Sequence, residues 1–317
     1  RWCVVGTEGN GTLRLDNTGT INSAGGYIGN EITGTGNVTV SGVGSSWNML
    51  NALYVGARGS GTLNITNGGI VQADAIYLGS TSTGTGTINF GAAAGETPIL
   101  AGTLNADLIN LGNTSSRLVF NHTRNNYFLN SQITGSGGVD IYSGSARFTR
   151  SNSYTGGTTI HGGALGLDGA GRIVGDVVNN GSLLFYVDDP LTFSGVISGT
   201  GGVQTESDLT LIANNTYSGG TYNGRGATLS IGNGGTTGSI IGDINGIEIA
   251  TGFDIGDLIF NRSDDITFAG AISDQDIIKR GGGTLSLTGN SIENGSLRIE
   301  NGELVINNGG LVSNTNS

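Results

Sequence analysis

Proline is almost missing from this chain, with 2 in 317 residues, and cysteine and methionine occur once each. Charged residues make up only 12%, about half the share of an ordinary globular protein. Each shortage excludes something. Two prolines exclude a collagen triple helix, and the plentiful β-branched residues separate the chain from disordered segments rich in Pro, Glu and Lys. A single Cys3 forbids an internal disulfide. With only His122 and His161 beside it, no structural metal site of Cys and His can be assembled. The one lysine, Lys279, stands in Ile277-Ile278-Lys279-Arg280, so there is no phosphate-binding P-loop. The 12 arginines are scattered, which leaves no basic patch for a nucleic-acid backbone. No apolar run approaches the roughly 18 residues of a membrane-spanning helix.

In their place stand 61 Gly, 36 Thr, 33 Asn and 29 Ser. These residues are poor in helix interiors and good in turns, so the expectation is an all-β, turn-dense chain. The formal charge is −11 and the sequence pI about 4.4. An acidic, Lys-poor surface of this kind fits an exposed extracellular protein. The chain opens mid-pattern at Arg1-Trp2-Cys3, which we read as a segment of something longer.

Internal repeats decide the architecture. A pair ending in Gly, then a Gly-x-Gly turn, then an alternating strand recurs four times in residues 1–100. The copies are Val5-Gly6 with Thr12-Leu13-Arg14-Leu15, Tyr27-Ile28-Gly29 with Asn37-Val38-Thr39-Val40, Tyr54-Val55-Gly56 with Thr62-Leu63-Asn64-Ile65, and Tyr77-Leu78-Gly79 with Thr87-Ile88-Asn89-Phe90. Over residues 101–317 the unit lengthens. Phe120, Phe185 and Phe260 are each followed eight residues later by Phe128, Phe193 and Phe268, at spacings of 65 and 75. A unit that long is about three turns of a 20-to-25-residue coil.

One such coil cannot bury its apolar face against itself, whereas stacked coils pile equivalent side chains into columns. The reading is one continuous right-handed parallel β-helix of roughly 14 coils. The alternative, a β-propeller, needs blades of about 40–50 residues, longer than the 23-residue unit. The strands Thr284-Leu285-Ser286-Leu287, Leu297-Arg298-Ile299 and Leu304-Val305-Ile306 are expected to close one compact C-terminal coil.

The segments Asn152-Ser153-Tyr154-Thr155-Gly156-Gly157-Thr158-Thr159-Ile160 and Asn215-Thr216-Tyr217-Ser218-Gly219-Gly220-Thr221 resemble the passenger-associated transport repeat of bacterial autotransporters. The stretch from Leu118 to Gly138 is similar to the same family, and the third copy, Asn290-Ser291-Ile292, lacks the Tyr and the double Gly. The resemblance implies a type V secreted protein of a Gram-negative bacterium. Its passenger would form a β-helix on the cell surface, anchored by a C-terminal outer-membrane β-barrel. Neither a signal peptide nor barrel strands are read in this stretch, so it is expected to be a passenger piece without direct membrane insertion. The resemblance implies adhesion or self-association, as in cell aggregation and biofilm, with a host-cell protein, a host glycan or another copy of the chain as partner. A structural spacer carrying a further functional domain is an alternative.

Chemistry has few candidates. No Gly-x-Ser-x-Gly or Gly-Asp-Ser-Gly stretch marks a nucleophile. His122 is expected to face solvent at a strand end, and His161 to be an exposed strand residue. Asp188-Asp189 and Asp264-Asp265 occupy equivalent repeat positions. They could serve a polysaccharide-degrading β-helix, which needs two carboxylates flanking a groove, or weak partner binding. The plainer reading is turn chemistry. Trp47, after Gly44-Ser45-Ser46, is a candidate loop-borne binding residue, with packing over the coil as the alternative, while the recurring Tyr27, Tyr54 and Tyr77 suit a semi-buried stack. We therefore expect a binding protein, not an enzyme, with no cofactor and no metal.

Overall fold

A computed structural model describes residues 1–224, 226–246, 255–293, 295–307 and 311–313, of which 291–293 and 311–313 are described by backbone alone. The chain is an all-β, right-handed parallel β-helix, the hand that parallel crossover connections almost always take. It gathers into two compact units. The first holds residues 1–167 with 171–175, and the second 168–170 with 176–317. The change of repeat near residue 100 falls inside the first unit.

In the first unit each coil contributes one strand to each of three sides. One side stacks Trp2–Val5, Gly25–Ile28, Leu53–Val55, Ala75–Leu78, Leu108–Leu111 and Gln132–Gly135. The second stacks seven strands: Asn10–Leu15, Thr35–Ser41, Ser60–Thr66, Thr85–Gly91, Arg117–Asn121, Gly138–Ser143 and Thr158–Ile160. The third begins with Thr20–Ser23, Ser46–Met49, Ile70–Gln72 and Thr103–Asn105. In the second unit the longest sheet runs Ser182–Val187, Gly202–Thr205, Thr221–Asn223, Ile244–Asn245, Ile272–Ser273, Ser291–Glu293 and Leu311–Ser313. The strands stack into about 13 turns, close to the expected fourteen.

Alternation in each strand sends every second residue inward, and register turns those residues into columns. Val38, Leu63, Ile88 and Leu118 form one column, and Val40, Ile65, Phe90 and Phe120 the next. All eight are fully buried, and the Phe90 and Phe120 rings stack at 4.5 Å. The lead glycines of the short repeat make the corner. Gly6, Gly29, Gly56 and Gly79 have φ of 72°, 68°, 66° and 57°, a left-handed turn that glycine adopts without strain. A side chain at Gly29 would also collide with the Ser60 carbonyl of the following coil.

The long repeat is more than three turns. Phe185 lies in Ser182–Val187, and three strands further on the same sheet comes Ile244–Asn245. Phe260 lies beyond it in Gly256–Asn261, on the neighbouring side. The 75 residues thus make three turns plus one side, so the motif moves around the helix instead of repeating on one face. Its second aromatic position is not equivalent in every copy either. Phe193 and Phe268 are buried, but Phe128 is 57% exposed because Tyr127 and Leu129 take the inward positions of Tyr127–Leu129. A one-residue offset exchanges inside for outside.

The Asn-x-Tyr motif is a stitch between coils. The Asn152 side chain accepts from the Ile133 N–H at 2.8 Å and donates to the carbonyls of Arg150 and Arg172 at 2.7 and 2.9 Å. Asn215 repeats this in the second unit with Ile197, Ala213 and Ser239 at 2.8, 2.9 and 3.0 Å. Two residues on, the fully buried Tyr154 and Tyr217 hydroxyls pair with Thr158 and Thr221 at 2.6 and 2.7 Å. The first glycine of each double Gly lies too close to the coil before it to carry a side chain, with Gly156 on Gly137 and Gly219 on Gly201. In the third copy Asn290 is exposed, and the side chains of Ser291 and Ile292 lie outside the described residues.

The expected compact C-terminal coil is not formed by the three strands proposed. Thr284–Leu287 lies one coil below Glu303–Ile306 in the same sheet, while Leu297–Ile299 pairs with Gln275–Arg280 on another side. Their similar alternation conceals which strands are neighbours around the coil and which are neighbours along the stack.

Asn152→Ala and Asn215→Ala each remove three bonds and strand a buried backbone N–H, at a cost of about 2–4 kcal/mol. Urea unfolding should show that loss, and hydrogen exchange should speed first at Ile133 or Ile197. Unchanged midpoints would contradict the stitch.

Candidate functional site

The carboxylate pairs are engaged in the fold where their partners are described. The Arg262 guanidinium grips Asp264 with two hydrogen bonds of 2.8 and 2.6 Å and also donates to the carbonyls of Gly238 and Thr236. Those bonds, above all, hold the Asp264 carboxyl below its ordinary range. Asp265 accepts the Thr284 N–H at 2.7 Å. The same device recurs at Asp176, Asp208, Asp243 and Asp276, which accept from the N–H groups of Val196, Thr228, Ala271 and Ser296 one coil ahead. Acidic side chains here serve as caps between coils. Asp188 and Asp189 are exposed beside Pro190, so no groove encloses them. Among the described residues no three His, Cys, Asp or Glu side chains group to hold a metal.

Trp47 lies in the strand Ser46–Met49, fully buried, with its indole N–H donating to Ser23 at 3.1 Å. The stretch read as a loop is a strand, and the indole fills the core between coils. It presents no surface to a partner. The only lysine, Lys279, is buried as well. Its ammonium donates to the carbonyls of Arg280, Gly281 and Asn301 at 2.9, 3.0 and 3.2 Å, and burial lowers its pKa.

The tyrosine stack is real and half-buried. Trp2, Tyr27, Tyr54 and Tyr77 follow one another at centroid separations of 5.2, 4.8 and 5.3 Å. Burial first, and then the neighbouring Tyr27 and Tyr77 hydroxyls, raise the Tyr54 pKa. Tyr27 and Tyr54 have both ring faces covered by their neighbours, so only edges and hydroxyls meet solvent.

His122 overturns the expectation of a solvent-facing side chain. It is fully buried, and neither ring nitrogen has a hydrogen-bond partner among the described residues. Its ring points inward against Phe120 and Tyr127, at centroid separations of 6.3 and 5.4 Å, and the insertion at residues 92–100 runs beside its backbone, bridged at Ile99. Asn121 pins that loop through the carbonyls of Ala93 and Glu96 at 2.7 and 2.8 Å, and the Thr123 N–H reaches the Ile99 carbonyl at 3.2 Å. His122 continues the inward row of Leu118 and Phe120 past the strand's end, so reading it as a solvent-facing strand end misses its place in the core. Burial, and then the Arg124 charge, lower its pKa to about 4.

The outer face of the sheet that holds Asn10–Leu15 through Thr158–Ile160 carries a row of polar side chains and two open hollows. Asn64 donates to Asn37 at 3.0 Å, and the buried Asn89 donates to Asn64 at 2.8 Å, an amide ladder that steps from coil to coil, with Asn37 set two residues off the register of the other two. The 92–100 loop borders two hollows on this face, both touched by Ala93. One, of about 460 Å³, holds the amide ladder. The other, of about 470 Å³, is lined by Thr87, Asn89, Arg117, Asp140 and Tyr142. Next to it His161, exposed as expected, reaches Asp140 at 3.3 Å and stacks on Tyr142 at 4.2 Å, while Arg117 lies 3.5 Å from Asp140. Asp140 and Tyr142 were not marked by any motif. The 21-residue separation of Asp140 and His161 is one coil, and that spacing is the only signal the sequence holds for them.

Acid should weaken the first unit through His122. Its folded pKa lies below the unfolded value of 6.5, so the unfolded chain takes up the proton first. The stability contributed by the neutral ring is complete above pH 6.5 and falls as the pH drops towards 4, by the order of 3 kcal/mol. Chemical unfolding between pH 7 and pH 4 should show a steeper loss for the native protein than for His122→Leu. Parallel profiles would contradict it.

No family model matches the chain, and no curated protein or solved structure matches it.

Proposed function

We propose that this chain is a non-catalytic binding module of a surface-exposed bacterial passenger, acting in adhesion or self-association. The observation that carries the reading is the outer face of the first unit. Polar side chains recur there once per coil, joined into a ladder by Asn37, Asn64 and Asn89, beside two open hollows. Repeated polar rungs suit many weak contacts summed along a surface, with avidity from many copies. The transport-repeat resemblance supports export. Its Asn-x-Tyr motif acts here as a stitch between coils, which suits a chain that must hold each coil as it emerges. The partner would be a host-cell protein, a glycan or a sister chain, and the whole protein would be held by a C-terminal barrel.

A polysaccharide-degrading enzyme is the second reading, favoured by the Asp140–His161 pair beside a hollow. Against it, the His161 side chain is 39% exposed to water, and a general base next to bulk solvent gains little from its surroundings.

Beads coated with the purified chain should adhere to cells or to one another, and the chain should release no reducing ends or unsaturated uronides from polysaccharides. Turnover that disappears in Asp140→Asn would replace the binding reading with the enzymatic one.

A further inference from the structure

On that same outer face, one residue departs from the ladder. Between Arg117–Asn121 and Gly138–Ser143 the register slips, so that Phe120 pairs with Ile141 and Asn121 with Ser143. Tyr142 is left without a partner on the preceding strand. A bulge of this kind re-aims a side chain. From the following coil, His161 covers one face of the Tyr142 ring at 4.2 Å and an interplanar angle of 11°, and Asp140 holds the imidazole at 3.3 Å. On its other side Tyr142 borders an open hollow of about 470 Å³, shared with Arg117 and Val119 of the preceding strand, a volume within the roughly 300–1,000 Å³ of small-ligand pockets.

The geometry points to this hollow as a carbohydrate-binding site, with the free face of Tyr142 receiving the C–H face of a pyranose ring. The inference rests on the binding reading above and names the partner class. A pyranose has an apolar C–H face and a rim of hydroxyls. A rigid aromatic face meets the first. The second needs acceptors and donors around the platform, and Asp140, Arg117 and Thr87 line the hollow.

The charges choose among ligands. Arg117 lies 3.5 Å from Asp140, so the acid is balanced locally despite the net charge of −11, and the hollow suits a neutral glycan. A phosphate chain would meet the Asp140 carboxylate. An extended peptide would need free backbone edges, and this face offers side chains only. The Trp2–Tyr77 stack cannot do the same work at its inner rungs, because the faces of Tyr27 and Tyr54 are already taken.

The test uses the full chain and three neutral probes: pentamers of β1,4-linked glucose, α1,4-linked glucose and β1,4-linked N-acetylglucosamine. At least one should bind by calorimetry. Tyr142→Ala should weaken it by roughly tenfold or more, about 1.4 kcal/mol, while Tyr142→Trp and Tyr54→Ala retain it. Saturation transfer from the bound sugar should reach the Tyr142 ring of the native chain, which decides the matter even if Tyr142→Ala fails to fold. Failure of all three probes, unchanged binding by a folded Tyr142→Ala, or transfer that bypasses Tyr142 would overturn the site. Bead adhesion that persists while all three sugars fail would leave the adhesion reading standing and end this one, whereas loss of adhesion by the native chain would end the reading beneath it.

Discussion

Each coil of this helix is completed by its neighbour. A strand of two to seven residues has no partner within its own coil. Its backbone groups, its apolar side chains and most of its polar ones are satisfied about twenty residues away, one coil up or down. Unpaired buried backbone is costly, so the stack is a requirement and not an ornament. The same dependence explains the composition. Gly makes the corners and lets coils approach closely, Asn and Asp reach across to the next coil, and Thr fills the outward rungs.

That constraint links the motifs to the chemistry. The Asn152 and Asn215 stitches, the buried Tyr hydroxyls and the row of capping carboxylates all bind one coil to another. They commit acidic side chains such as Asp265 and Asp276 to structural bonds. Asp264 and Asp265 are a salt-bridge partner and a cap, and Trp47 is core. What is left for partners is the outer face, where register slips or insertions break the repeat. The 92–100 loop borders two hollows. The bulge at Tyr142 sets its ring against His161 beside one of them.

The fold was legible because it rests on periodicity. Alternation marked the strands, and the recurring lead glycines marked the corners. Register between coils was legible wherever the unit stayed constant, as at Tyr27, Tyr54 and Tyr77. It was not legible where the unit changed. Phe128 and Phe193 look equivalent in sequence, yet a one-residue offset puts one outside and the other inside. Leu285, Leu297 and Leu304 share one pattern but belong to different sides or coils. The site was the least legible part, because Arg117, Asp140, Tyr142 and His161 form no local motif and meet only once the coil length is known.

If neighbouring coils carry the stability, opening must be graded. Stability of a stacked repeat is approximately a sum over nearest-neighbour interfaces, so subglobal openings should precede global unfolding. Native-state hydrogen exchange across rising denaturant measures this directly. Graded opening gives several protection isotherms, merging at different denaturant concentrations for strands such as Ser60–Thr66 in the first unit and Thr284–Leu287 in the second, and a local rise in exchange for Leu63→Asp confined to the coils it touches. A single isotherm shared by every strand, shifted as a whole by Leu63→Asp, would contradict it.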